Sequence, residues 1–175
     1  MPRLLVAGKL HPAGEARIAA LRANGIVVDY VEEISEAAYL PFIAEADALV
    51  IRTQPLTADT IAKAPRLMVV SRHGVGYDAV DVAALTARGI ALTIVGDVNS
   101  VSVAEQAMMF LLAASKRVLR ADRAVRDPSQ WGWRNRLEQQ EISGKSLLIL
   151  GYGRSGRKLA QMAAGFDITV RAHDP

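Results

Sequence analysis

The 175-residue sequence contains no cysteine, and only 5% of it is aromatic. Without thiols, disulfides and thiolate metal sites are excluded; a reducing, cytoplasmic setting is the expectation, and no residues are assigned to a metal. With so few rings, alanine and branched aliphatic side chains must fill the core that a 51% hydrophobic content supplies, as in packed helices and parallel strands. Long apolar runs are missing too. The longest, "AMMFLLAA" from Ala107 to Ala114, falls far short of the roughly 20 residues that span a bilayer. The opening "MPRLLVAGKLHPAGEAR" has no secretion-type cleavage pattern and reads as a first strand. Nor is there a strong excess of one charge. The net charge is +3, and the basic residues are interleaved with acids except between Lys116 and Arg136, so neither nucleic acid nor a membrane is an expected partner.

What is present is a rhythm. Residues 3 to 95 hold five branched-aliphatic runs, "RLLVAGK", "IVVDYV", "ALVIR", "RLMVVSR" and "IALTIV", separated by helical patterns, several of which end at Gly or Pro. Strands alternating with helices predict βαβ units, hence an α/β fold with a parallel sheet covered on both faces. Pro41 weakens the second helix. From Asn99 the rhythm changes to one long helix, "NSVSVAEQAMMFLLAASKRVLRADRAV". Ser102 and Glu105 fit a capping box, which predicts a start at Ser102. Its first half is apolar nearly all round, which predicts burial between two bodies and a connecting role. The last unit is a strand at 146–150, a glycine turn, a helix at about 155–164 and a strand at 168–173.

Two constellations carry chemistry. Gly151, Gly153 and Gly156 match GxGxxG in "GYGRSG", a weak signal alone. It gains weight by following a predicted strand and opening a predicted helix, with Asp174 at the end of the next strand, close to the expected interval of about 20 residues. Glycines let the backbone approach a pyrophosphate, the helix N-terminus offers free N–H groups, and Asp174 accepts from ribose hydroxyls. The bland reading is a structural turn. The second constellation, "SRHGVGYDAVD", follows the fourth strand, while Arg52 and Thr53 end the third. If these strands are neighbours, Arg52 and backbone N–H groups around Gly74, Val75 and Gly76 form a carboxylate site on one rim. The alternative is a tight turn beside a surface arginine. His11 and His173 lack evident acidic partners, His73 reads as a polar strand-end residue with substrate contact as the alternative, and none is assigned as a catalytic acid. Arg117, Arg120 and Arg123 share a helical face, with Trp131 and Trp133 beyond; a solvated face with two core anchors and a subunit contact both fit.

The run from "SRHGVGYDAVD" to "VNSVSVAE", followed by "ISGKSLLILGYGRSGRKLAQMAAGFDITVRAHDP", resembles the D-isomer-specific 2-hydroxyacid dehydrogenases, including their phosphoglycerate dehydrogenase and hydroxypyruvate reductase groups. The resemblance implies a flavodoxin-like substrate domain over residues 1–98 and a connecting helix with dimer-contact segment over 99–142. The start of an NAD-binding Rossmann domain would follow over 143–175. It implies a homodimer passing hydride between NAD and a small D-2-hydroxy or 2-keto acid. Arg52, Thr53, Gly74, Val75 and Gly76 would bind substrate. Gly151, Gly153, Arg154, Ser155, Gly156 and Asp174 would bind cofactor, with Val103, in the helix start from Ser102 to Glu105, near the nicotinamide. Ser155 stands where a branched apolar residue is usual, Asp167 where glycine is usual, and Val95 where proline is frequent. The catalytic arginine, glutamate and histidine of the family correspond to positions downstream of Pro175. The chain therefore reads as the N-terminal portion of an oxidoreductase, inactive alone. The competing reading is a non-catalytic module that senses NAD or a hydroxy acid and engages a protein partner.

Overall fold

The computed structural model describes residues 1–175, which divide into two compact units, Met1–Gly96 and Asp97–Pro175. The first contains β1 (Arg3–Ala7), α1 (Pro12–Ala23), β2 (Val27–Val31), α2 (Glu36–Tyr39), a 3-10 segment (Leu40–Glu45), β3 (Ala48–Ile51), α3 (Ala58–Ala62), β4 (Val69–Arg72), α4 (Val82–Ala87) and β5 (Ala91–Ile94). All five strands are parallel, in the order β2-β1-β3-β4-β5. That is the flavodoxin-like order. The helices begin where the side chains of His11, Ser35, Thr57 and Asp81 accept an N–H of the first turn, satisfying donors that a helix start leaves open. His11 thus has a capping role. Pro41 coincides with the change from α2 to the 3-10 segment.

The period-two alternation of β1 separates two cores. Leu5 and Ala7 pack with Tyr39, Ile43, Leu49 and Ile61 on one face of the sheet, whereas Val6 packs with Ile18 and Val28 on the other. Each face therefore buries aliphatic side chains under its own helices.

A polar clasp ties α2 to α3. The Glu36 carboxylate accepts from the Thr57 hydroxyl at 2.7 Å, from the Thr57 N–H and from the Thr60 hydroxyl. Burial pushes the Glu36 carboxyl up, but the bonds from Thr60 and Thr57 outweigh it and hold the group below its ordinary value of 4.5. A lowered folded value means that the clasp stabilises the fold above pH 4.5 and that this contribution is lost as pH falls below it. Glu36→Gln should cost about 1–2 kcal/mol at pH 7 and flatten the acid limb of a urea-unfolding stability profile. An unchanged acid limb would exclude the clasp as its source.

The second unit contains α5 (Ser100–Ser115), α6 (Val118–Arg126), a 3-10 segment (Pro128–Arg136), β6 (Ser146–Leu150), α7 (Arg154–Ala164) and β7 (Thr169–His173). Two expectations are corrected here. The helix starts at Ser100 with Asn99 as its cap, and no side chain caps it; Ser102 and Glu105 lie exposed within the first turns. Asn99 stands at the cap position before the Ser-x-x-Glu pattern, and its backbone carbonyl accepts the Val103 N–H at 3.0 Å. The long helix is also two helices. Arg117 adopts φ 53, and the N–H groups of Lys116 and Arg117 close back onto Leu112 and Ala114, the left-handed ending that helices ordinarily make with glycine. With arginine there, the sequence carried no stop signal. The apolar girth of α5 is only partly buried: Ala104 and Met108 are enclosed, and Phe110 is 61% exposed. Asp167 does adopt the left-handed backbone, φ 58, that its position requires. No helix is long and apolar enough to cross a membrane.

Candidate functional site

In the first unit the carboxyl rim of the sheet gathers the predicted residues. Ile51 of β3 pairs with Arg72 of β4, and the His73 N–H donates to the Ile51 carbonyl at 2.7 Å. Arg52 therefore emerges beside the Gly74–Gly76 turn, as neighbouring strands require. Arg52 is exposed, and its guanidinium makes one long bond, 3.3 Å to the Lys9 carbonyl. The N–H groups of Val75 and Gly76 donate to no group of the chain, whereas that of Gly74 is spent on the Arg72 carbonyl. The turn thus offers two N–H donors rather than three.

Neither Gly74 nor Gly76 takes a left-handed backbone. At Gly74 the space beside the backbone is taken by a flexible side chain that would have to shift. A Cβ there would collide with the Arg72 guanidinium, which folds over the turn and donates to the His73 carbonyl at 2.8 Å. Arg72 is the residue that sequence reading missed. It lies inside the motif, but only strand register reveals that it ends β4 level with Ile51, one residue before Arg52. Two guanidinium groups and two free N–H groups make this rim electropositive. Asp78, 3.3 Å from the Cβ position of Gly76, offsets part of that positive potential. Thr53 is exposed with its N–H already engaged by the Gln54 side chain, leaving its hydroxyl available. His73 is exposed at the strand end.

In the second unit β6 and β7 pair in parallel, with Leu150 opposite His173. The Gly151 N–H donates to the His173 carbonyl at 2.8 Å, which sets the start of the glycine turn beside Asp174 on one rim. The three glycines have three separate reasons. Gly151 sits at φ +92, Gly153 has no atom within 4 Å of its Cβ position, and a Cβ on Gly156 would strike the Gly151 carbonyl. Those are a tight turn, open space above the backbone and close helix-to-strand packing, the pattern of a pyrophosphate-binding turn. Gly153 caps α7 without a side chain. Arg154, Arg157 and Lys158 crowd the first turn of α7, the end where the helix dipole disfavours cations. Arg157 donates to the Tyr152 carbonyl at 3.0 Å and braces the turn. A first turn that is cationic against its own dipole is suited to an anion. Ser155 is half-buried, and Arg154, Asp174 and Val103 are exposed.

The two tryptophans divide. Trp133 is buried with Arg120 5.4 Å from its ring centre, while Trp131 is half exposed with Arg134 at 4.8 Å.

A flavodoxin-ordered sheet with an electropositive rim, followed by a strand, a glycine turn, a helix and a second parallel strand with Asp174 beyond it, makes this an α/β protein whose second unit has the geometry of a dinucleotide-binding βαβ unit. The sequence profile of the family described as "D-isomer specific 2-hydroxyacid dehydrogenase, catalytic domain" matches residues 4–170, and the chain belongs to that family. It is 39% identical to the D-3-phosphoglycerate dehydrogenase of Mycobacterium tuberculosis over 100% of this chain and 32% of that protein. Its fold matches NAD-dependent formate dehydrogenase from Staphylococcus aureus in complex with NAD, with a TM-score of 0.85 at 24% identity, over 99% of this chain and 56% of that one. It also matches an NADPH-dependent glyoxylate/hydroxypyruvate reductase from Sinorhizobium meliloti in complex with citrate, with a TM-score of 0.79 at 26% identity, over 99% and 54%. The chain spans about a third of the length of the curated phosphoglycerate dehydrogenases it matches.

Proposed function

We propose that these residues form the substrate-carboxylate site and the opening of the cofactor site of an NAD-dependent dehydrogenase acting on a small D-2-hydroxy acid or its 2-keto counterpart. The observation that carries the reading is the glycine turn. Gly151 and Gly156 have conformational and steric reasons to be glycine, Gly153 leaves the backbone open, and Gly151 is hydrogen-bonded to the end of β7, which Asp174 follows. The residues present fit a dinucleotide: Gly153 leaves space for a pyrophosphate, α7 and Arg154 supply positive charge, and Asp174 supplies a ribose acceptor. NAD would provide the hydride acceptor. The chain's own contribution is binding and orientation, with Arg52 and the Val75 and Gly76 N–H groups holding the carboxylate and Arg72 adding positive potential beside it. His11 is engaged in capping α1 and no proton-transfer role is assigned to His73 or His173, so residues 1–175 by themselves are expected to turn over no hydroxy acid. The exposed apolar surface of Phe110, Leu119 and Trp131 supports a homodimer contact through α5 to the Trp segment.

Cofactor choice tests the reading. Asp174 accepts from both ribose hydroxyls but would face a 2′-phosphate charge to charge, so the full-length enzyme should prefer NAD to NADP. Arg171 lies three residues earlier on the strand, on the opposite face from Asp174. Asp174→Ala should reduce the NAD/NADP ratio of kcat/KM by about tenfold or more. A wild type that prefers NADP, or a ratio unmoved by the substitution, would remove Asp174 from the cofactor site.

A further inference from the structure

The segment from Arg52 to Thr57, between β3 and α3, has no regular structure, yet the chain anchors it residue by residue. The Arg52 N–H donates to the Ala7 carbonyl at 3.1 Å, and the Leu56 N–H donates to the Ala79 carbonyl at 2.8 Å. The Pro55 carbonyl accepts the hydroxyl of fully buried Tyr39. At the centre is Gln54, a polar side chain only 1% exposed. Its Oε1 accepts the Thr53 N–H at 3.0 Å, and its Nε2 donates to the Glu33 carbonyl, in the loop after β2, at 3.1 Å. Burying a carboxamide is unfavourable unless both of its ends are paired. Here both ends are spent on backbone groups, and neither reaches the surface.

We infer that Gln54 is a positioning residue for the carboxylate site: its carboxamide spans the Thr53 N–H and the Glu33 carbonyl and so fixes the backbone from which Arg52 and Thr53 face the substrate. The inference rests on the proposed role of Arg52. The Arg52 N–H is held by the Ala7 carbonyl, but its guanidinium has only the long bond to Lys9, so a loosened Thr53 peptide would let that group sample more positions. Pinning the adjacent peptide removes that freedom before substrate arrives, and a carboxylate then meets a donor already in place. The chemistry demands both a donor and an acceptor at one side chain of this length. An aliphatic residue of equal length fills the space but releases the Thr53 N–H and strands the Glu33 carbonyl.

The test uses full-length enzyme with Gln54→Met, Arg52→Ala and Arg88→Met. Arg88 serves as the control for general loss of stability, because it bonds the Ile61 and Ala64 carbonyls at the end of α3 rather than the Arg52 loop. Gln54→Met should raise KM for the hydroxy acid about tenfold while KM for NAD and kcat stay within about twofold; Arg88→Met should leave all three unchanged. In wild-type protein, hydrogen exchange resolved at Thr53 should show a protected amide although the residue is exposed. If Arg52→Ala raises the hydroxy-acid KM and folded Gln54→Met does not, the positioning role is overturned and the carboxylate site stands. If Arg52→Ala has no effect, the carboxylate reading itself fails and this inference with it. Should Gln54→Met not fold, the wild-type exchange decides: a Thr53 amide exchanging at the rate of a free loop overturns the role.

Discussion

Arg52→Ala in the full-length enzyme is expected to raise KM for the hydroxy acid by about 10- to 100-fold, the loss of one charge-assisted contact to a carboxylate. Folding should barely register the change. Arg52 is exposed, and the one hydrogen bond of its side chain is 3.3 Å long, so unfolding free energy should stay within about 0.5 kcal/mol of wild type. KM for NAD should also hold, because the residue belongs to the other unit from the glycine turn. The check is steady-state kinetics beside a urea-unfolding curve. An unchanged hydroxy-acid KM would sink the carboxylate assignment, and a large loss of stability would mean that Arg52 has a structural role not visible in its contacts.

The glycine turn yields the second large effect, through a contrast between two alanine substitutions. At Gly156 the added methyl group would meet the Gly151 carbonyl and Ile149, backbone and core that cannot both yield, and α7 must move off β6. That should cost about 1–3 kcal/mol and abolish measurable NAD binding. At Gly153 the same methyl group enters open space, so the protein should fold as wild type. It should nonetheless lose NAD affinity, because that space is where a pyrophosphate would approach the backbone. Thermal unfolding and NAD titration of both full-length variants separate the cases. Gly153→Ala binding NAD as tightly as wild type would show that no phosphate approaches there, and Gly156→Ala with undiminished stability would show that α7 does not press on the turn.

Most of the architecture could be read along the chain, because local physics writes it there. Branched-aliphatic runs separated by capped helical segments specify alternating strands and helices, and Ser35, Thr57 and Asp81 mark their helix starts with side chains whose only partners are a few residues away. The glycine turn was legible for the same reason: three glycines and a later acid state their roles by spacing. What failed locally also had a local cause. Arg117 ends α5 with a left-handed backbone that the sequence disguises as arginine, and α5 starts two residues before Ser102 with no side-chain cap.

The rest depended on which residues the sheet brings side by side. Arg72 gains its place only through the register that sets β4 against β3, a relation between positions about twenty residues apart that no pattern within either strand encodes. Gln54 is subtler still. A glutamine before Pro55 and Leu56 reads as ordinary loop, and only the closure of β1, β2 and β3 around it buries the carboxamide and supplies a carbonyl from Glu33, 21 residues earlier in the chain. The sequence by itself determined most of the elements, their order and the position of the glycine turn between strand and helix, since backbone preference, capping and periodicity act within a few residues. Only the tertiary structure decided which cations share the rim, which turn N–H groups remain free and which partners the buried Gln54 amide finds, since those depend on burial and pairing between segments distant in the chain.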